Sequence, residues 1–353
     1  RVFRYVDSIR EPWPFQVGDA GPLSESYCQR VVDGRLPPLI QDAMQLPTAR
    51  ELPVTASFPI GAHLSVPIVL PGGRVFGTFC CFSDQADHSL NPRDLEMMTT
   101  FAHVIARQIE REQYARQKHD EKRARVTQVM TTDQLSVVFQ PIRSLIDTSL
   151  LGLEALARFA SAVQMPPYRW FADAHEVGLG VELETLAIRK ALPSLYCTNE
   201  TYLALNASPT TVLSGELEAI LHDVPLQRIV VEITEHAQVD DYPALRHALS
   251  PLRRAGVRVA VDDAGAGYAT LRHITELQPE LIKLDAHLTT DLEHDPVKRA
   301  LVKAMTTFAG EIGCCLIAEG IETEHQKALL VELGIGHGQG YLLGRPATLG
   351  HEA

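Results

Sequence analysis

The chain has 353 residues, of which 45% are hydrophobic and 22% charged, and its formal net charge is −12 at pH 7. That length exceeds what a single core usually organises, so two domains are expected. The acidic balance excludes a non-specific nucleic-acid binder, which needs a basic surface, and no apolar run is long enough to span a bilayer.

The chain opens at Arg1 and not at Met, so it reads as a piece of a longer protein, and no signal peptide opens it. Val2 to Val6 alternates as a half-buried strand, and Trp13 and Phe15 follow in a loop rich in proline and glycine. Ser24 to Val32 reads as a short helix ended by Asp33-Gly34. Gly61 to Leu70 and Val75 to Phe82 read as the strands of a hairpin about the Pro71-Gly72-Gly73 turn, with Pro67 placing the first at a sheet edge. Asn91-Pro92 opens a long helix through Leu95, Met98, Phe101, Ile105 and Ile109.

This α+β layout resembles a GAF domain, a small sensory module, over residues 1–110. The resemblance rests on the Ser24–Asp42 segment, the hairpin and the closing helix, while the family's usual opening helix is missing. It implies a pocket for an unidentified small-molecule ligand; a dimerisation and packing module is the alternative. No Cys-His dipeptide is present for covalent bilin attachment. The six cysteines show no zinc spacing and read as reduced, packed thiols of a cytoplasmic protein. Cys28 reads as a packed structural cysteine rather than a sensory thiol.

The helix continues past Arg125, with charges of both signs interleaved at helical spacing. Residues 111–133 thus read as a helical linker, a signalling helix that joins two domains and lies side by side with a second copy; a plain surface linker helix is the alternative. From residue 134 to the end, short apolar strands alternate with amphipathic helices. That βα rhythm indicates a parallel sheet closed into an α/β barrel. An open doubly wound sheet is the alternative, but no G-x-G-x-x-G follows a first strand.

The polar residues at the strand tips carry the chemistry. Glu154, Asn206, Glu232, the adjacent Asp262 and Asp263, Lys283 and Glu319 each sit within or at the end of an apolar strand. Barrels of this kind do their chemistry at the C-terminal rim. Carboxylates gathered there without compensation would cost more than a domain's stability, so cations are required. An all-oxygen set at Glu154, Asn206, Glu232 and Asp262 suits Mg²⁺ or Mn²⁺ better than zinc. Asp263 is placed for a second ion with Asp262 bridging. Two such ions, about 3.5–4 Å apart, clamp the attacking and leaving oxygens of a phosphodiester. Lys283 is placed to orient or deprotonate the water or to neutralise developing charge.

Residues 134–353 resemble an EAL domain, the family of cyclic-di-GMP phosphodiesterases with a TIM-like barrel. The naming motif stands as Glu154-Ala155-Leu156, with Gln140-Pro141, Asn206, Glu232-Ile-Thr-Glu235, Asp262-Asp263, Lys283-Leu-Asp285, Glu319-Gly-Ile-Glu322 and Gln339-Gly-Tyr341 around it. The resemblance implies that Glu154, Asn206, Glu232 and Asp262 bind the first metal and Asp262 and Asp263 the second. Glu319 and Glu322 would support the metal–water cluster, Gln339 would help hold it, and Lys283, Glu154 and Glu319 would be catalytic. Gln140 and Leu156 would line the nucleotide site, alongside Glu322 and Gln339, and Arg158 would meet a substrate phosphate. Glu235 would couple the loop after Asp263 to dimer contacts, so a homodimer is implied. Two features depart from the family pattern: Ala264 replaces the usual Phe, and the segment after Arg158 is short.

The expected function is metal-dependent hydrolysis of cyclic-di-GMP to linear pGpG under control of the GAF-like unit. A silent cyclic-di-GMP receptor is the alternative, although silent members typically lose metal ligands and this chain keeps them. A two-carboxylate glycosidase explains neither Asn206, Lys283 nor the paired aspartates. No nucleic-acid polymer and no membrane segment enters this reading.

Overall fold

The structure, a computed structural model, describes residues 1–8, 15–58, 60–198, 201–234, 239–265 and 269–349. It divides into two compact units, Arg1–Lys118 and His119–Ala353. Among the described residues, no helix is long and apolar enough to cross a membrane.

The first unit is built on a three-stranded antiparallel sheet. β2 (Ala62–Val69) runs between β1 (Leu39–Ile40) and β3 (Val75–Ser83). Side chains alternate across a strand, and β2 uses both faces. Leu64, Val66 and Ile68 pack with Met98, Ala102 and Ala106 of the helix Pro92–Thr131. His63 takes the other face, where its ring lies 5.0 Å from that of Tyr27. Tyr27 in turn packs with Leu36, Ile40, Leu52 and Ile60.

Two sequence expectations fail in this unit. Val2 to Val6 forms no strand, only an isolated bridge from Val2 to Ala20; five residues cannot hold a ladder without a continuous partner. β2 is the middle strand and not the edge. Pro67 is tolerated there because β1 spans two residues, pairs with His63 and Leu64, and stops short of it. Trp13 lies outside the described residues.

All six cysteines are free thiols. Cys81 is exposed while Cys80 faces inward, as strand alternation requires. The sulfurs of Cys28 and Cys80 lie 3.5 Å apart and share a hydrogen bond. That bond outweighs burial and holds Cys28 down at about 4, while the remaining proton stays on Cys80, whose value is pushed well up.

The second unit begins within the same long helix. Val126 and Val129 are buried against Trp170, Ala174 and Leu183. Lys122 bonds Asp173 (3.2 Å) and Glu176 (2.5 Å), Arg125 bonds Asp173, and Arg123 donates to the Val177 carbonyl (2.7 Å). The final turns of this helix therefore belong to the core of the second unit.

The barrel strands are β4 (Leu135–Ser144), β5 (Leu150–Phe159), β6 (Tyr202–Asn206), β7 (Ile229–Thr234), β8 (Arg258–Ala264), β9 (Leu281–Leu284), β10 (Cys315–Ala318) and β11 (His337–Gly338). They close in the order β10-β11-β4-β5-β6-β7-β8-β9. The expected all-parallel sheet is corrected here: β4 runs antiparallel to both β5 and β11. Only a short turn separates β4 from β5, and a parallel crossover needs about a dozen residues.

The barrel strands are buried on both sides, which is why they read as continuous apolar runs. Leu203, Leu205, Val231, Val259, Val261 and Ile282 face the helical layer. Ile142, Tyr202, Ala204, Val230, Ala260, Leu281 and Ile317 fill the interior. Gly152 makes room for the Tyr202 ring, since a Cβ there would sit 2.4 Å from it.

Candidate active site

Six interior positions are each followed, two residues on, by a polar side chain at the rim. Asn206 succeeds Ala204, Glu232 succeeds Val230, Asp262 succeeds Ala260, Lys283 succeeds Leu281, Glu319 succeeds Ile317, and Glu154 succeeds Gly152. A period of two keeps both members on one face, so the apolar interior ends upward in a polar layer.

Lys283 is the centre of that layer. It is 1% exposed, and its Nζ lies 2.8 Å from Glu319, 3.1 Å from Asp262, 3.2 Å from Glu232 and 3.3 Å from Glu154. Gln339 Nε2 donates to Glu154 (2.6 Å) and to Gln140 Oε1 (3.0 Å), and Asn206 Nδ2 donates to Glu154 (3.4 Å). Gln140 also donates to the Gly344 carbonyl at 3.3 Å.

A bulge at the end of β8 allows two adjacent carboxylates to serve one site. The register with β9 shifts between Val261 and Ala264, and Asp263 takes φ +55°. The Asp263 amide then donates to Asp262 Oδ1 at 3.0 Å. Without the bulge, neighbouring side chains would point to opposite faces. Ala264 is fully buried in the core and pairs with Leu284, and Gly265 (φ +111°) leaves room for Leu288.

The electrostatics are unbalanced. Burial opposes ionisation of Glu154, but Lys283, Gln339 and Asn206 together hold it below its ordinary value. Burial dominates at Glu319 and pushes it up to about 8 against the pull of Lys283. Glu232 is driven well up by burial and by the other carboxylates, again against Lys283. Burial disfavours the Lys283 charge, yet Asp262, Glu154, Glu232 and Glu319 outweigh it and raise the ammonium well above its ordinary value. One buried ammonium thus serves several carboxylates, a surplus that divalent cations would neutralise.

The donor geometry fits such ions. Glu154, Glu232 and Asp262 offer oxygens within 4.8 Å of one another, and so do Asp262, Asp263 and Glu319. Asp262 is common to both sets. Gln339 Oε1, at the other end of the amide that bonds Glu154, is buried without a hydrogen-bond partner. Oxygen-only sets of this kind match Mg²⁺ or Mn²⁺.

Other sequence-selected residues stand apart from this cluster. Leu156 and Arg158 continue the Glu154 face of β5 outward, Arg158 by about 13 Å, and the Arg158 guanidinium donates to the Ala157 carbonyl (2.8 Å). Glu322 is exposed, and its amide donates to Gln326 Oε1 at 2.9 Å. Glu235 lies outside the described residues. Sequence reasoning missed the brace behind Glu319: Thr289 Oγ1 donates to the Glu319 carbonyl (2.5 Å), and Gln326 Nε2 donates to the Thr289 and Gly320 carbonyls. The signal was Thr323-x-x-Gln326, the spacing of a helix capping box.

The family profile described as EAL domain matches residues 123–346, and the one described as GAF domain matches residues 9–110. A cyclic di-GMP phosphodiesterase of Pseudomonas aeruginosa is 30% identical over 228 residues, covering 61% of this chain and 39% of that protein. The cyclic di-GMP phosphodiesterase PdeA of Borreliella burgdorferi is 26% identical over 236 residues, covering 64% and 35%. The chain therefore spans little more than a third of either relative's length. Among solved structures, the PaMucR phosphodiesterase in complex with c-di-GMP superposes with a TM-score of 0.59 at 26% identity, covering 65% of this chain and 98% of that one. A manganese/cy-diGMP complex of Klebsiella pneumoniae BlrP1 gives a TM-score of 0.53 at 28% identity, covering 61% and 56%. With more than half its length in one family profile and the barrel to match, the chain belongs to the EAL domain family and carries a GAF domain ahead of the barrel.

Proposed function

We propose that the barrel hydrolyses cyclic-di-GMP to linear pGpG with two divalent cations, Mg²⁺ or Mn²⁺, and that the GAF domain regulates it. One observation carries the reading: two three-carboxylate sets share Asp262 and surround a single buried lysine. The names of the relatives support cyclic-di-GMP as the substrate, and the manganese complex of a related structure supports the metal.

In this proposal Glu154, Asn206, Glu232 and Asp262 hold one ion, and Asp262, Asp263 and Glu319 hold the other. When bound, the ions lower the pKa of coordinated water and polarise the phosphoryl oxygens. The chain's own residues do the remaining work. Gln339 fixes the carboxylate plane of Glu154. Lys283 stays protonated among its four partners, so it orients the ligands and offsets negative charge as the phosphorane forms; in this arrangement it is a donor and not a base. Glu319 presents a carboxylate oxygen to accept a proton from the attacking water. Gln140 and Leu156 flank the nucleotide, and Arg158, further out on the same face of β5, exchanges its bond to the Ala157 carbonyl for one to a phosphate. Glu322 supports substrate binding, and Glu235 is assigned, by the family resemblance alone, the coupling of the loop after Asp263 to a second copy in a homodimer.

The test is incubation of the full chain with cyclic-di-GMP and Mg²⁺, Mn²⁺ or a chelator, followed by separation of the nucleotides. Metal-dependent appearance of pGpG is expected. Tight binding without cleavage in either metal would move the protein to the receptor class.

A further inference from the structure

We propose that Cys28, His63 and Cys80 form a binding site inside the GAF domain for a thiophilic d¹⁰ metal ion, zinc(II) or copper(I). The proposal is independent of the chemistry assigned to the barrel.

Three elements bring the ligands together. Cys28 sits in the first turn of the helix Tyr27–Val32, His63 in β2 and Cys80 in β3. In the antiparallel ladder Ser65 faces Cys80 and His63 faces Phe82, so His63 and Cys80 are diagonal neighbours on one face. The helix lays Cys28 over that diagonal. One ligand atom from each residue lies within 4.8 Å of the others.

The spacing suits a bound ion. The sulfurs are 3.5 Å apart. A metal bonded to two thiolates at 2.3 Å and a tetrahedral angle separates them by about 3.8 Å. His63 is 2% exposed, and its Nδ1 is buried without a hydrogen-bond partner. A buried ring nitrogen in that state costs free energy that coordination would recover.

The surroundings favour a closed, soft site. A cavity of ≈ 40 Å³ adjoins the three ligands; Phe15, Tyr27, Ile60 and Phe82 wall it, and Arg1 also lines it, its charge offset once both sulfurs are thiolates. A water needs only about 10–15 Å³, so the cavity admits an ion with one small exogenous ligand. Two thiolates and an imidazole select zinc or copper(I) over the hard ions suited to the barrel. Three protein ligands satisfy copper(I) or leave zinc one open position. Binding releases to solvent the proton that the thiol pair still holds, and no electron moves.

Cobalt(II) tests the site in the full chain, reduced and stripped of metal, in excess Mg²⁺. Thiolate ligation gives a sulfur-to-cobalt charge-transfer band in the near ultraviolet, which the oxygen donors of the barrel cannot produce. One saturable equivalent is expected. Cys28→Ser and Cys80→Ser should each weaken cobalt binding by at least about 100-fold, beyond the 10–100-fold typical of losing a supporting group. The Cys81→Ser/Cys197→Ser control should bind as the wild type does. Zinc(II) and copper(I) are then titrated separately, and the one that displaces cobalt at lower concentration is the ion the site binds more tightly.

X-ray absorption of the wild type loaded with one equivalent of zinc needs no variant, and should show two sulfurs at about 2.3 Å and nitrogen at about 2.0 Å. Absence of the charge-transfer band, its persistence in the Cys28→Ser/Cys80→Ser double variant, or a zinc shell of oxygen alone would each overturn the proposal.

Discussion

Gln339 Nε2 donates to Glu154 Oε2 across 2.6 Å, joining residues 185 positions apart in the chain. The same amide nitrogen donates to Gln140, which faces Glu154 directly in the β4–β5 ladder. The antiparallel hairpin and the closing strand thus fix the orientation of one candidate metal ligand. Replacing Gln339 with Ala should weaken Mn²⁺ binding by about 10–100-fold, the usual cost of losing a group that orients a ligand. Calorimetric titration measures it, and an unchanged affinity would leave Lys283 and Asn206 as the orienting partners.

Glu154→Ala should abolish hydrolysis while leaving the fold intact. Lys283 keeps Glu232, Asp262 and Glu319 within 3.2 Å, so its charge stays compensated. The unfolding midpoint of the barrel should move by less than about 4 °C, equivalent to roughly 1 kcal/mol in a domain of this size. Nucleotide chromatography and circular dichroism read the two parts separately. Full activity in this variant would dismantle the site assignment.

Lys283→Met removes the ammonium and leaves four carboxylates facing one another. Breaking a buried ion pair from one side costs about 3–5 kcal/mol, so the metal-free variant should melt roughly 10 °C lower. Mn²⁺ should restore much of the loss, because the ion and the lysine neutralise the same charge. An equal deficit with and without Mn²⁺ would show that they do not.

The site was legible because its residues interrupt apolar strands at matching depth. Asp262, Lys283 and Glu319 stand out against Val259–Val261, Leu281–Ile282 and Leu316–Ala318. A β period of two then predicts one shared face without any knowledge of the fold. The direction of β4 was not legible. Apolar runs buried on both faces look alike in either direction, and only the short β4–β5 connection held the clue. The bulge at Asp263 was equally hidden, because a left-handed aspartate leaves no mark in composition. Gln326 escaped for a different reason: the Thr323-x-x-Gln326 spacing marks a helix cap, but its bonds to the Thr289 and Gly320 carbonyls join backbone that side-chain types do not reveal.

Metal affinity should depend on pH through Glu319. Its ordinary value is 4.5, and burial in the metal-free protein raises it to about 8. A carboxyl raised on folding contributes stability that is fully present below about 4.5 and is lost as pH climbs through about 8. The metal-free protein should therefore lose stability steadily across that window, and Glu232, raised in the same direction by burial, adds to the loss. A divalent ion needs the ionised oxygen, so below about pH 8 it must displace the proton. Mn²⁺ affinity should rise from about pH 6 to about pH 8 and level off above it. Titration in two buffers of different ionisation enthalpy counts the protons released, which should be at least one near pH 7, Glu232 adding to Glu319, and should fall by about one as pH rises past about 8. A flat affinity with no proton release would mean that Glu319 is already ionised beside Lys283, and that the ammonium, not burial, sets its charge.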